Sequence, residues 1–101
     1  MSVKVVWTLE AESLFTKNIY YLRDQWSEKE VGNFITQTEK IIDRIKKHPE
    51  SFPQGVNSKS YRRARLNKYI VLFYKYYKAQ KKVVLLTFWN TKQDLSKLKY
   101  K

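Results

Sequence analysis

The chain has 101 residues and no cysteine. It is expected to form one domain over residues 1–101 with a single core, which excludes disulfide frameworks, thiolate metal sites and cysteine nucleophiles. Its formal charge is +12, and the excess is confined to one half: residues 1–50 hold eight of the nine acids and eight of the 21 bases, whereas residues 51–101 hold thirteen bases and one acid. A surface kept merely soluble mixes both signs, so the C-terminal half is expected to face a polyanion or an acidic polypeptide.

In chain order, Val3 to Thr8 alternates loosely, carries β-branched residues and Trp7, and reads as a short edge strand. From Leu9 the period changes. Ala11, Phe15, Ile19, Leu22 and Trp26 recur at helical spacing, Thr8 is placed to cap the start, and Glu10 and Glu12 sit at the positive end. Ser27 and Glu30 form an S-x-x-E capping box that opens a second helix. Its inner stripe is Val31, Phe34, Ile35, Thr38, Ile41, Ile42 and Ile45; Lys46 and Lys47 suit its end and Pro49 stops it. With one or two residues between them, the helices are expected to pack as an antiparallel hairpin.

His48 to Ser60 reads as a loop holding both prolines, Gly55 and Asn57-Ser58. Three strands follow: Tyr61–Leu66, a turn at Asn67-Lys68, Tyr69–Tyr77, a polar turn over 78–81, and Lys82–Trp89. The last two are nearly continuous apolar runs, as expected of central strands covered on one face by the helices. The fold class is therefore α+β in the order β-α-α-β-β-β, a small, mainly antiparallel sheet packed against a helix hairpin.

Alternation puts Arg63 and Arg65 on one face of their strand, opposite Ala64 and Leu66. Two guanidiniums two residues apart suit bidentate contacts to phosphate, and suit the carboxylates of an acidic partner equally well. The face formed by Tyr69, Val71, Phe73 and Lys75 is expected beside them. Arg62, Arg63, Arg65, Lys68, Tyr69, Lys75 and Lys92 make up the candidate set for binding nucleic acid or a protein partner. Tyr20, Tyr21, Trp26, Tyr74, Tyr76 and Trp89 read as packing residues, and His48 as a helix-end residue. A glycine-rich phosphate loop, a histidine pair for a metal and a Ser-His-Asp set are all missing, since the glycines are Gly32 and Gly55 and His48 is the one histidine. Neither metal nor cofactor is expected. Any catalysis would fall to Arg, Lys or Tyr stabilising the charge that develops on a phosphodiester.

Several segments carry a resemblance to a known family. V-x-W-T-x-x-A at Val5–Ala11, Tyr20-Tyr-Leu-x-x-x-Trp26, I-x-x-I-x-x-x-P-x-x-F-P from Ile42 to Pro53, the strands beginning at Tyr61 and Tyr69, and Phe88-Trp-Asn-Thr-Lys-Gln-Asp94 together resemble the RelE/ParE superfamily. Its members are the toxins of bacterial type II toxin–antitoxin (plasmid-stabilisation) systems. The resemblance covers essentially the whole chain and implies a growth inhibitor neutralised by an acidic antitoxin encoded in an adjacent gene. It also implies one of two targets. RelE-like members cut messenger RNA on the ribosome, and their catalytic pattern falls here on Arg63, Arg65 and Lys92, with Tyr100 close to the position of the tyrosine. Their arginine on the next strand falls near Ile70, which has no charge to offer. ParE-like members bind DNA gyrase and trap its cleaved-DNA state without chemistry of their own; the long helix hairpin and the Tyr20–Trp26 segment resemble that branch. A non-toxic basic nucleic-acid-binding domain is the remaining alternative.

Overall fold

The computed structural model describes residues 3–25, 27–55, 60–92 and Leu98. Its order is β1 (Lys4–Trp7), α1 (Leu9–Gln25), α2 (Glu28–Lys47), β2 (Arg62–Arg65), β3 (Ile70–Tyr77), a short 3-10 turn (Lys78–Gln80) and β4 (Lys82–Asn90). The strands form one sheet in the order β1-β4-β3-β2. β1 runs parallel to β4, and the other two pairings are antiparallel. The two apolar runs, β3 and β4, are the central strands.

Thr8 makes the first corner. Its Oγ1 accepts from the Ala11 N–H at 3.0 Å, capping α1, and its hydroxyl donates to the carbonyl of Leu85 at 2.8 Å. One side chain thus ties the start of a helix to a strand 77 residues later. The second helix starts as its sequence demands, with Ser27 Oγ accepting from the Glu30 N–H at 3.3 Å. It ends at His48, whose N–H donates to the Arg44 carbonyl at 2.8 Å.

Helical periodicity delivers the main core. Ala11 and Leu22 from α1 and Val31, Phe34, Ile41 and Ile45 from α2 meet Ala64, Leu66, Ile70, Leu72, Tyr74, Val83, Leu85 and Phe88 from the sheet. Trp7, Phe15, Phe34 and Phe88 interlock at ring separations of 5.3 to 5.5 Å. Asn18, a polar residue on the apolar face, is accommodated because its amide donates to the Leu14 carbonyl at 2.9 Å and the Phe88 carbonyl at 3.4 Å.

Three expectations require correction or fall outside view. Tyr20 is exposed rather than packed, with Arg23 5.8 Å from its ring. Tyr69 precedes β3 instead of belonging to it: Asn67 Oδ1 accepts from the N–H groups of Tyr69 and Ile70 at 2.8 and 3.0 Å. The turn so formed breaks the alternation, and Tyr69 packs against the helix-side core rather than beside Val71 and Phe73. Trp26 lies outside the described residues.

The sheet is covered on both faces. Val71, Phe73 and Trp89 join Tyr61 in a second cluster on the side away from the helices, with Leu86 and Leu98 against it. A bulge makes this possible: Phe73 pairs with Thr87 but Tyr74 with Leu85, so Leu86 is the extra residue and alternation in β4 restarts after it.

Replacing Thr8 by Val keeps the side-chain shape and deletes both hydrogen bonds. Thr8→Val is expected to lower stability by about 1–2 kcal/mol, with Thr8→Ser losing far less, as read by urea denaturation.

Candidate functional site

β2 is an edge strand, and its outward residues carry the charge. Arg63 lies opposite Phe73 and Arg65 opposite Val71, so both guanidiniums rise from an apolar floor on the face away from the helices. Both are exposed. Arg65 is steadied by donating to the carbonyls of Asn67 and Lys68 at 3.3 and 3.1 Å, which leaves the rest of its fork available.

Arg62 points the other way. Its guanidinium donates to the Phe52 carbonyl at 2.7 Å and the Glu50 carbonyl at 3.2 Å, and lies 4.0 Å from the Glu50 carboxylate. It pins the loop after α2 against the sheet. The same loop is held by the Tyr74 hydroxyl, which donates to the Pro49 carbonyl at 2.8 Å, and by Arg44, stacked 4.7 Å over the Phe52 ring. Backbone pairing of Gly55 with Tyr61 and of Arg63 with Pro53 completes the cover over the β2 edge.

A cavity of about 670 Å³ runs along this edge, lined by Arg44, Phe52, Arg63, Arg65, Phe73 and Trp89, among others. Three guanidiniums and an apolar floor suit a ligand carrying both negative charge and a flat or aliphatic surface. Trp89 Nε1 is buried with no hydrogen-bond partner. Sequence reasoning read Trp89 as packing, which it is, but missed Arg44. No local signal marks Arg44, because it reaches the cavity only once the loop has folded back beneath it.

The other candidates are distributed around the ends of the sheet. Lys92 follows β4, with its N–H on Asn90 Oδ1 at 2.9 Å and its ammonium 4.5 Å over the Tyr69 ring. Lys68 is exposed in the β2–β3 turn, and Lys75 lies further along β3, two residues past Phe73. Tyr100 and Asp94 lie outside the described residues. Ile70 is fully buried towards the helices. His48 is exposed at the end of α2. No group of three or more acidic or histidine side chains able to hold a metal occurs among the described residues. Nor is any of their helices long and apolar enough to cross a membrane. Arg44, Arg63 and Arg65 line the cavity together with apolar side chains.

A helix pair laid on one face of a four-stranded mixed sheet, with arginines on the edge strand beyond it, is the α+β architecture of the RelE/ParE toxins. Residues 5–95 match the model of the ParE toxin of the type II toxin–antitoxin system parDE, and the chain belongs to that family. Among solved structures it is similar to the chromosomal ParDE system from P. aeruginosa (TM-score 0.71, 8% identity, covering 88% of this chain and 96% of that one). It is also similar to a RelBE toxin–antitoxin complex from Mycobacterium tuberculosis (0.62, 14%, 89% and 99%) and to a YoeB/ParE toxin from Agrobacterium tumefaciens (0.62, 12%, 86% and 96%). At these identities the likeness is one of fold. No curated protein matches the chain.

Two features of the loop covering the site can be tested. A Cβ on Gly55 would overlap the Tyr61 ring. Gly55→Ala is therefore expected to cost about 1–3 kcal/mol and to disturb the Tyr61–Phe73 contact, read by denaturation and by the tyrosine near-UV spectrum. Burial pushes the Tyr74 hydroxyl up to about 12, with Arg62 and Arg44 pulling the other way. An unfolded tyrosine ionises near pH 10, so between about pH 10 and 12 the native state holds a proton that the unfolded state has lost. The resulting stability is complete below about pH 10 and disappears as pH rises through that window. Tyr74→Phe is expected to flatten this alkaline decline in urea midpoint relative to the native protein.

Proposed function

We propose that the chain is the toxin of a pair whose antitoxin is an acidic polypeptide, and that its target is DNA gyrase, which it arrests with DNA cleaved. The observation that carries the choice of target is Ile70. The ribonuclease branch places an arginine near this position to stabilise the scissile phosphate; here the side chain is apolar and fully buried. A cation cannot be supplied there without rebuilding the core. The match to a ParE family model supports the same reading.

The antitoxin assignment draws on charge. A protein of net +12 with no acid between Ser51 and Gln93 is complementary to an acidic chain, and charge complementarity accelerates association and narrows the choice of partner. The cavity along the β2 edge offers such a chain both guanidiniums and apolar contact.

One arrangement favours the ribonuclease reading. Arg63 and Arg65 stand side by side on an exposed strand, as phosphate-orienting residues would. The two readings separate in a paired assay on the purified chain, with gyrase, relaxed plasmid and ATP in one arm and programmed ribosomes in the other. Lost supercoiling with trapped, cleaved plasmid and intact message is the expected result. Cuts in the A-site codon with normal supercoiling, abolished by Arg63→Ala or Arg65→Ala, would overturn the gyrase assignment.

A further inference from the structure

The charge asymmetry has a spatial form. α1 and α2 together carry seven acids and seven bases, so the helix layer is neutral overall. The four strands carry six bases and no acid. Arg63 and Arg65 account for one end of the outward face. The other end, at the β3–β4 turn, holds a second group of cations remote from the cavity.

Val5 and Trp7 of β1 face the helices, so alternation turns Lys4 outward, and Lys4 pairs with Lys82. Lys82 pairs in turn with Tyr77. The ammonium groups of Lys75 and Lys82 lie 4.9 and 5.1 Å from the centre of the Tyr77 ring. The ring's negative face holds together two like charges that would otherwise repel. Lys78 and Lys81 belong to the turn itself. Of these five lysines only Lys78 makes an ion pair among the described residues, with Glu50 at 3.8 Å. Lys4, Lys75 and Lys82 therefore face outward, and Lys81 is exposed in the turn, without a carboxylate among the described residues.

Lys81 closes the turn that carries this group. Its φ is +50°, the left-handed region that glycine or asparagine occupies most readily. Its N–H closes the turn on Lys78, and its carbonyl accepts from the Lys4 N–H at 3.0 Å. The turn so closed leaves the Lys81 side chain exposed next to Lys82.

We propose that the β3–β4 turn end of the outer sheet face, formed by Lys75 and Lys82 around Tyr77 with Lys4 and Lys81 next to Lys82, binds the sugar–phosphate backbone of a nucleic acid. Lysine ammoniums act as point charges on flexible stems and suit successive phosphates along a backbone. Tyr77 lies four residues beyond Phe73 on β3, about 13 Å from the Arg63 pairing at ordinary strand rise. The site is therefore separate from the cavity and goes beyond the gyrase reading: it needs no gyrase, and either assignment can fail alone.

The test is fluorescence anisotropy of the full chain with labelled duplex DNA, single-stranded DNA and RNA of one sequence, titrated across salt concentration. Lys75→Gln/Lys82→Gln is compared with Lys17→Gln/Lys40→Gln, which removes the same charge from exposed helix positions. Circular dichroism confirms that both variants fold. Loss of two phosphate contacts is expected to flatten the slope of log affinity against log salt by about 1.8 for duplex DNA and about 1.4 for single strands. The helix variant is expected to keep the native slope. The DNA and RNA arms identify which backbone is held best. Equal losses in both variants would overturn the proposal in favour of net charge alone. Unchanged binding in Lys75→Gln/Lys82→Gln would overturn it too, as would a poly-glutamate chain that binds as tightly through the same two lysines.

Discussion

The parallel ladder between Lys4–Trp7 and Lys82–Leu85 is the pairing on which the rest of the structure depends. It joins the beginning of the chain to a strand nearly eighty residues later, and so closes the longest loop in the fold. Everything between, both helices and two strands, must be accommodated within that closure. The helices emerge directly from β1 through the Thr8 corner and lie on one side, where the aromatic group of Trp7, Phe15, Phe34 and Phe88 fastens them to β4. The opposite face is left to smaller coverings: the Tyr61–Phe73–Trp89 cluster at one end and lysines at the other.

Much of this was legible because the chain changes period where it changes structure. Alternation in β1, the three- and four-residue spacing from Ala11 to Ile45, the Ser27 cap and the apolar runs of β3 and β4 each state a local preference that packing then respects. The outward placement of Arg63 and Arg65 followed from the same alternation. What escaped depends on contacts distant in sequence. The bulge at Leu86 resets the facing of β4, and nothing in V-V-L-L-T-F-W announces it. Tyr69 falls outside β3 because the Asn67 side chain holds the turn closed and the strand starts one residue later than apolar character suggests. The roles of Arg44 and Arg62 arise only when the loop at residues 49–55 folds over the β2 edge, which basic residues in a strand or at a helix end do not foretell.

That loop links stability to recognition. Arg62 and Tyr74 reach through the sheet edge to grip its carbonyls, and Arg44 stacks on Phe52 from the helix side. The cavity wall is thus built from residues that also hold the core closed. Such a wall presents a preorganised surface, and binding to it forgoes less conformational entropy than binding to a loose loop. Two of the four arginines here, Arg44 and Arg62, are bound to this structural work, and the pair on β2, Arg63 and Arg65, is left exposed. This division of labour explains why four arginines lie within so short a compass without their charges opposing the fold.

The separation of charge between layers has a consequence for how the protein meets its partners. A helix layer neutral overall, backed by strands with bases and no acid, gives the molecule a directional field that favours approach of a polyanion to the sheet side. Both ends of that face are then available in a single encounter, the arginine end with its apolar floor and the lysine end around Tyr77. An acidic polypeptide with side chains to bury gains most at the first, and a phosphate backbone with nothing to bury gains as much at the second. Occupation of the arginine end by an extended acidic chain would lower the potential over the whole sheet, weakening the lysine end without covering it.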